Sequence, residues 1–141
     1  MLDLSFAAYF HGHLGPWLVL GYKVGIYAKE KLKASSPFDL KCVAYLPKMK
    51  PYTCSLDGIQ VASGCTLGKL NVELVDSDES SIKFVFTNLR SNESLELKLK
   101  PEALDLLKGF EGKDLERAAE EVNRMEIWEL MEITYHWREC G

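Results

Sequence analysis

The chain has 141 residues, 47% apolar and 27% charged, with a net charge of −4 and a sequence pI near 5.4. That length suits one domain with a core of its own. The acidic balance, without a basic run or an RNP-type aromatic pattern, excludes a nucleic-acid binder.

The first residues, MLDLSFAAYF, carry no basic stretch and are interrupted by Asp3 and Ser5, so they read as neither signal peptide nor membrane span. The periodicity predicts a short helix from Leu2 to Phe10 and a loop from His11 to Gly15. Pro16 suits the first turn of a second helix, because its missing N–H costs nothing there. That helix is expected to run to about Lys33, with Leu18, Leu20, Gly21, Val24, Ala28 and Leu32 on a broad apolar face. It reads as the buried central helix. Gly21 and Gly25, four apart, would let another element approach closely. Lys23 and these glycines also break the apolar run from Leu14 to Ile26, which is too short to cross a bilayer.

Asp39 to Leu46 alternates and reads as a strand, with Leu40, Cys42, Ala44 and Leu46 on one face. A helix starting near Cys54 follows, with Thr53 as the expected side-chain cap. Cys54, Asp57, Gly58 and Val61 share one face of it. A thiolate at Cys54 would be stabilised by the helix N-terminus. Leu70 to Val75, Ser81 to Thr87 and Ser94 to Leu99 read as three strands of an antiparallel meander. Pro101 opens a short helix to about Lys108, and Asp114 to Trp137 reads as one long helix. Its distal part, from Met125 onward, holds more apolar and aromatic residues than a solvated helix needs. A second copy of the chain is the expected cover, giving a homodimer. The fold class is α+β: N-terminal helices, a mostly antiparallel sheet, C-terminal helices, in a single domain over 1–141.

The chemistry concentrates in two stretches, FHGHLGPW (10–17) and PYTCSLDGIQVASGCTLGK (51–69). In an extended segment, His11 and His13 would point their imidazoles to the same side. The pair reads either as metal ligands or as loop histidines held by backbone. Cys54 and Cys65 are eleven apart and no CxxC occurs, so zinc-finger spacing is absent. They read as small buried residues or as ligands, and Cys54 alternatively as a nucleophile. Asp57 is a first-turn carboxylate and Gln60 a helix-surface amide, both candidates to support a ligand or cofactor. Lys69 could hold an anion near the thiols. GCTLGK is not a phosphate loop: Ser63 stands where the first glycine is needed, and Leu70 where a hydroxyl should bind magnesium. Cys42 reads as core, and His136 and Cys140 as tail. Four cysteines without a secretion signal suggest free thiols or metal ligands in the cytoplasm.

FHGHLGP, CSLDGIQ and GCTLGK followed by Asn71, in this order, resemble the FmdE family, named after a component of formylmethanofuran dehydrogenase. The resemblance covers roughly Ser5 to Phe86. It implies an α+β core that dimerises and carries a metal site, often zinc. It places His11, His13, Cys54 and Cys65 as metal ligands in one pocket, with Asp57, Gln60 and Lys69 beside them. The family's tie to molybdenum or tungsten dehydrogenases is largely by gene company, which implies a redox-enzyme partner. It also leaves room for a pterin-type cofactor or a thiolate-dependent enzyme. Two features depart from the pattern. Gly15 stands where a cysteine is usual and Trp17 where a glycine is usual, so one sulfur ligand is lost and a bulky ring is gained. The cysteine-rich zinc-finger module that many members append has no counterpart in these 141 residues.

Overall fold

A computed structural model describes residues 3–110, 112 and 114–136. Leu2, Trp137 and Cys140 lie outside the described residues. The elements run α1 (Leu4–His11), α2 (Pro16–Leu32), β1 (Leu40–Leu46), α3 (Cys54–Ser63), β2 (Val72–Asp76), β3 (Lys83–Asn88), β4 (Ser94–Leu99), α4 (Pro101–Gly109), α5 (Leu115–Arg124), α6 (Ile127–Leu130) and β5 (Met131–His136). The class is α+β. No helix among the described residues is long and apolar enough to cross a membrane.

One five-stranded sheet, ordered β2-β1-β3-β4-β5, forms a layer against the helices. The alternation in the sequence sets its inner face. Leu40, Cys42, Ala44 and Leu46 of β1, Phe84 and Phe86 of β3, and Leu95, Leu97 and Leu99 of β4 are all buried. α2 supplies the facing side of the core with Leu20, Val24, Ala28 and Leu32.

Two expectations are corrected. The first concerns β2, which pairs parallel to β1, with Cys42 opposite Val72, while β3 pairs antiparallel on the other side of β1. The helix between β1 and β2 returns the chain to the starting end of the sheet, and such a crossover yields a parallel neighbour. Leu70, expected on the inner face of that strand, lies before it and is exposed. The second concerns the C-terminal segment, which is not one long helix. α5 ends at Arg124, α6 is a single turn, and Met131–His136 is a strand paired antiparallel with β4. The sequence changes period there: Met131, Ile133 and Tyr135 alternate with Glu132, Thr134 and His136, which is strand spacing. Ile127, Leu130 and Met131 are consumed by this chain's own core, with Met125, Ile133 and Tyr135 packed on it, so the segment needs no partner to cover it.

α3 is held unusually close to α2. A Cβ on Gly21 would stand 1.8 Å from the Ser55 carbonyl oxygen, and one on Gly58 would stand 2.2 Å from that of Leu18. Only glycine on both helices permits this approach. It fixes α3 against the α1–α2 unit.

Candidate functional site

His11 is the last residue of α1, not part of an extended loop. Gly12 takes φ 108 and returns its N–H to the Ala8 carbonyl, turning the chain sharply before α2 begins at Pro16. That turn, rather than strand alternation, brings the two imidazoles together, with ring centroids 4.7 Å apart.

Across the gap, α3 presents Cys54, Asp57 and Gln60 at successive spacings of three. Its start differs from the expectation. Thr53 has helical backbone angles and makes no side-chain cap bond. The turn before it supplies the acceptors: Cys54 N–H donates to Pro51 O and Ser55 N–H to Tyr52 O. The first amides are therefore already satisfied. The Cys54 thiol is pushed up, not down, by burial first and by the nearby Asp57 charge second, with Lys50 opposing.

His11 Nδ1 and Asp57 Oδ2 are 2.6 Å apart. An ionised carboxylate only accepts, so in the neutral ring Nδ1 carries the proton and Nε2 the lone pair. Asp57 is held in turn, since Gln60 Nε2 donates to its Oδ1 at 3.3 Å. The Leu67 amide donates to Gln60 Oε1 at 3.1 Å, completing a chain from backbone to imidazole. At its far end, His11 Nε2 is buried and has no hydrogen-bond partner. Leaving a buried polar atom unpaired costs about 1–3 kcal/mol.

Two cavities meet at this point. One, of about 70 Å³, is lined by His11, His13 and Cys54 together with Pro16, Trp17, Leu18, Pro51, Leu107 and Phe110. The other is an open groove containing His11, Cys54, Asp57, Gln60, Lys50 and Glu73. The structure thus brings His11, His13, Cys54, Asp57 and Gln60 together.

It does not bring Cys65 or Lys69. Cys65 is fully buried in the core, its thiol donating to the Leu40 carbonyl at 3.4 Å, and burial raises its pKa. The cause is Asn71, which bonds Thr66 N–H with its carbonyl oxygen and both Pro37 O and Leu40 O with its amide, pinning this segment to β1. Lys69 Nζ donates to Thr66 Oγ1 at 2.7 Å and lines neither cavity. The cation at the groove is Lys50, which none of the sequence motifs singled out. Its position four residues before Cys54, one turn upstream, was the available signal.

The FmdE family model, described as "FmdE, Molybdenum formylmethanofuran dehydrogenase operon", matches residues 10–139. The chain belongs to the FmdE family. The fold agrees. A solved FmdE-like protein of tungsten formylmethanofuran dehydrogenase, from Syntrophus aciditrophicus, superimposes with TM-score 0.68 at 17% identity, over 98% of this chain and 72% of that one. A relative from Archaeoglobus fulgidus, named a probable S-adenosyl-L-methionine-binding protein, is 33% identical over 82 residues. That match covers 54% of this chain, which spans only 21% of the relative's length.

A divalent metal can be tested against these FmdE residues. The orphaned Nε2 of His11, with a carboxylate behind its other nitrogen, has the form of a metal-ligating imidazole with its orienting partner. A thiol and a second imidazole line the same cavity. Among the described residues no three His, Cys, Asp or Glu side chains already stand in a ligand cluster, so closure around an ion would require a side-chain movement. His13 is exposed at the cavity rim, whereas His11 is fixed by Asp57.

Proposed function

We propose that this FmdE-family chain is a metal-binding protein that holds a divalent transition metal, zinc before others, through His11, Cys54 and His13. The observation that carries the reading is the buried, unpartnered Nε2 of His11 with Asp57 on Nδ1. A nitrogen–sulfur donor set of this kind suits zinc. With three protein ligands, the ion would keep an open position and supply Lewis-acid polarisation or an activated water there. Asp57 fixes the His11 tautomer, and Gln60 fixes Asp57. The apolar wall of Trp17, Leu107 and Phe110 keeps bulk water from one side.

The raised thiol of Cys54 favours this reading over a free thiolate nucleophile. A metal removes a thiol proton outright, whereas an unassisted nucleophile needs a lowered pKa. The family's description by a dehydrogenase operon supports an accessory role beside a molybdenum- or tungsten-dependent redox enzyme. Homodimerisation is also part of the proposal, on a face other than the C-terminal segment. Phe6, Phe10 and Leu67 are exposed around one groove of α1 and α3. Phe10→Glu should then yield a monomer by sedimentation, and an unchanged oligomer would refute that face.

The metal reading is tested by elemental analysis of protein purified without added metal, followed by cobalt substitution. One ion per chain and a thiolate-to-cobalt absorption band lost in Cys54→Ser are expected. Folded protein that takes up no metal would overturn the reading.

A further inference from the structure

We propose that the apolar cavity beside His11 and Cys54 seats the short aliphatic end of a small organic anion whose charged head lies in the neighbouring groove at Lys50. Such a ligand is additional to the proposed metal and needs no metal ion to bind.

Size comes first. The cavity measures about 70 Å³. A cavity of about 150 Å³ takes a benzene ring, so this one has room for a short alkyl chain and not for a ring. The lining comes second. Pro16, Trp17, Leu18, Pro51, Leu107 and Phe110 offer hydrocarbon, and the polar side chains on the wall are those of His11, His13 and Cys54. The wall is stiff at Trp17, which is 4% exposed and meets the Tyr52 ring edge-on at 5.1 Å. Tyr52 is itself tied by its hydroxyl to Glu79.

Charge comes third. His11 and Cys54 line the cavity and the groove alike, so a molecule seated in one emerges in the other at these side chains. Of the charged residues in the groove, Asp57 is engaged by His11 and Gln60, and Glu73 lies 3.8 Å from Lys41. Lys50 has no ion-pair partner among the described residues. A monoanion with a short apolar tail matches both compartments, and an unbranched short-chain carboxylate is the simplest member of that class.

The test titrates chelator-stripped protein, and the same protein reloaded with zinc, with acetate, propionate, butyrate, hexanoate and benzoate. The Trp17 indole N–H resonance reports binding. Affinity should rise about fourfold per methylene from acetate to butyrate and level off by hexanoate. Benzoate should bind no tighter than acetate. Lys50→Gln, a surface change, should weaken every acid several-fold while preserving the ratio between chain lengths. Trp17→Leu should move the plateau to longer chains and admit benzoate. No shift at Trp17 with any acid overturns the proposal, as does a rise that continues unchanged through hexanoate or an inert Lys50→Gln. Acids binding as expected to protein that refuses zinc would leave this inference standing and remove the metal reading. Zinc binding without acid binding would do the reverse.

Discussion

Replacing Gly58 by Ala tests the contact that positions the site. On helix propensity alone the change should stabilise α3 by about 1 kcal/mol, because glycine gives up more backbone entropy than alanine. The packing predicts the opposite sign. The new Cβ would stand 2.2 Å from Leu18 O and 2.5 Å from Tyr22 N, whereas ordinary contacts begin at 3.4 Å. Both neighbours are backbone of α2, so no rotamer change relieves the clash and the helices must part by about 1 Å. Overpacking of this kind costs about 1–3 kcal/mol, and rigid backbone puts Gly58 at the upper end. The net expectation is a loss of about 1–2 kcal/mol, read by urea denaturation. A second consequence follows at the site. The 2.6 Å contact between His11 and Asp57 spans the same gap, and a 1 Å opening carries it past hydrogen-bond length. Gly109→Ala is the control: it lies in α4, a Cβ there meets nothing within 4 Å, and it should be neutral or slightly stabilising. A Gly58→Ala protein as stable as its parent would refute the close-approach argument.

Asp57→Asn should leave the fold intact yet weaken zinc binding roughly 10- to 100-fold in a competition titration, because the amide no longer orients His11 as a carboxylate does. Cys54→Ser should abolish stoichiometric metal. Cys65→Ala should retain the metal and lower only stability, as expected of a thiol packed in the core. Truncation before Met125 should unfold the chain by circular dichroism rather than merely separate a dimer, since Leu130 and Met131 belong to the core. Glu79 sits below its ordinary value of 4.5, chiefly through Lys108 and then Tyr52. Because its folded value is the lower one, its contribution is present above the unfolded value and is lost as pH falls through the folded one. Glu79→Gln should therefore lower stability near neutral pH and narrow the gap in acid, as measured by denaturant titration at both.

The local patterns were legible wherever one period governs a segment. β1, β4, α2 and α4 could be read from alternation or from a proline start with an apolar face, and the two glycines of α2 announced a close neighbour. His11, His13, Cys54, Asp57 and Gln60 could be named because each sits in a short, dense stretch of chemistry. Cys65 could not be assigned, since sequence distance from Cys54 says nothing about which side of β1 receives it. Asn71, five residues beyond Thr66, made that choice by bonding across to Pro37 and Leu40. Lys50 and Lys69 are equally charged in sequence, and only their backbone placement separates the groove cation from the one spent on Thr66.

By itself, then, the sequence determined the α+β class, most of the helices and strands, and the side chains from which a site could be built, because these follow from periodicity and residue chemistry within a few turns. Tertiary structure alone decided that β2 runs parallel to β1, that the last segment is a strand, and that His11 rather than Cys65 faces Cys54. Those outcomes depend on which hydrogen bonds and apolar faces meet across long stretches of chain, and no local pattern encodes that meeting.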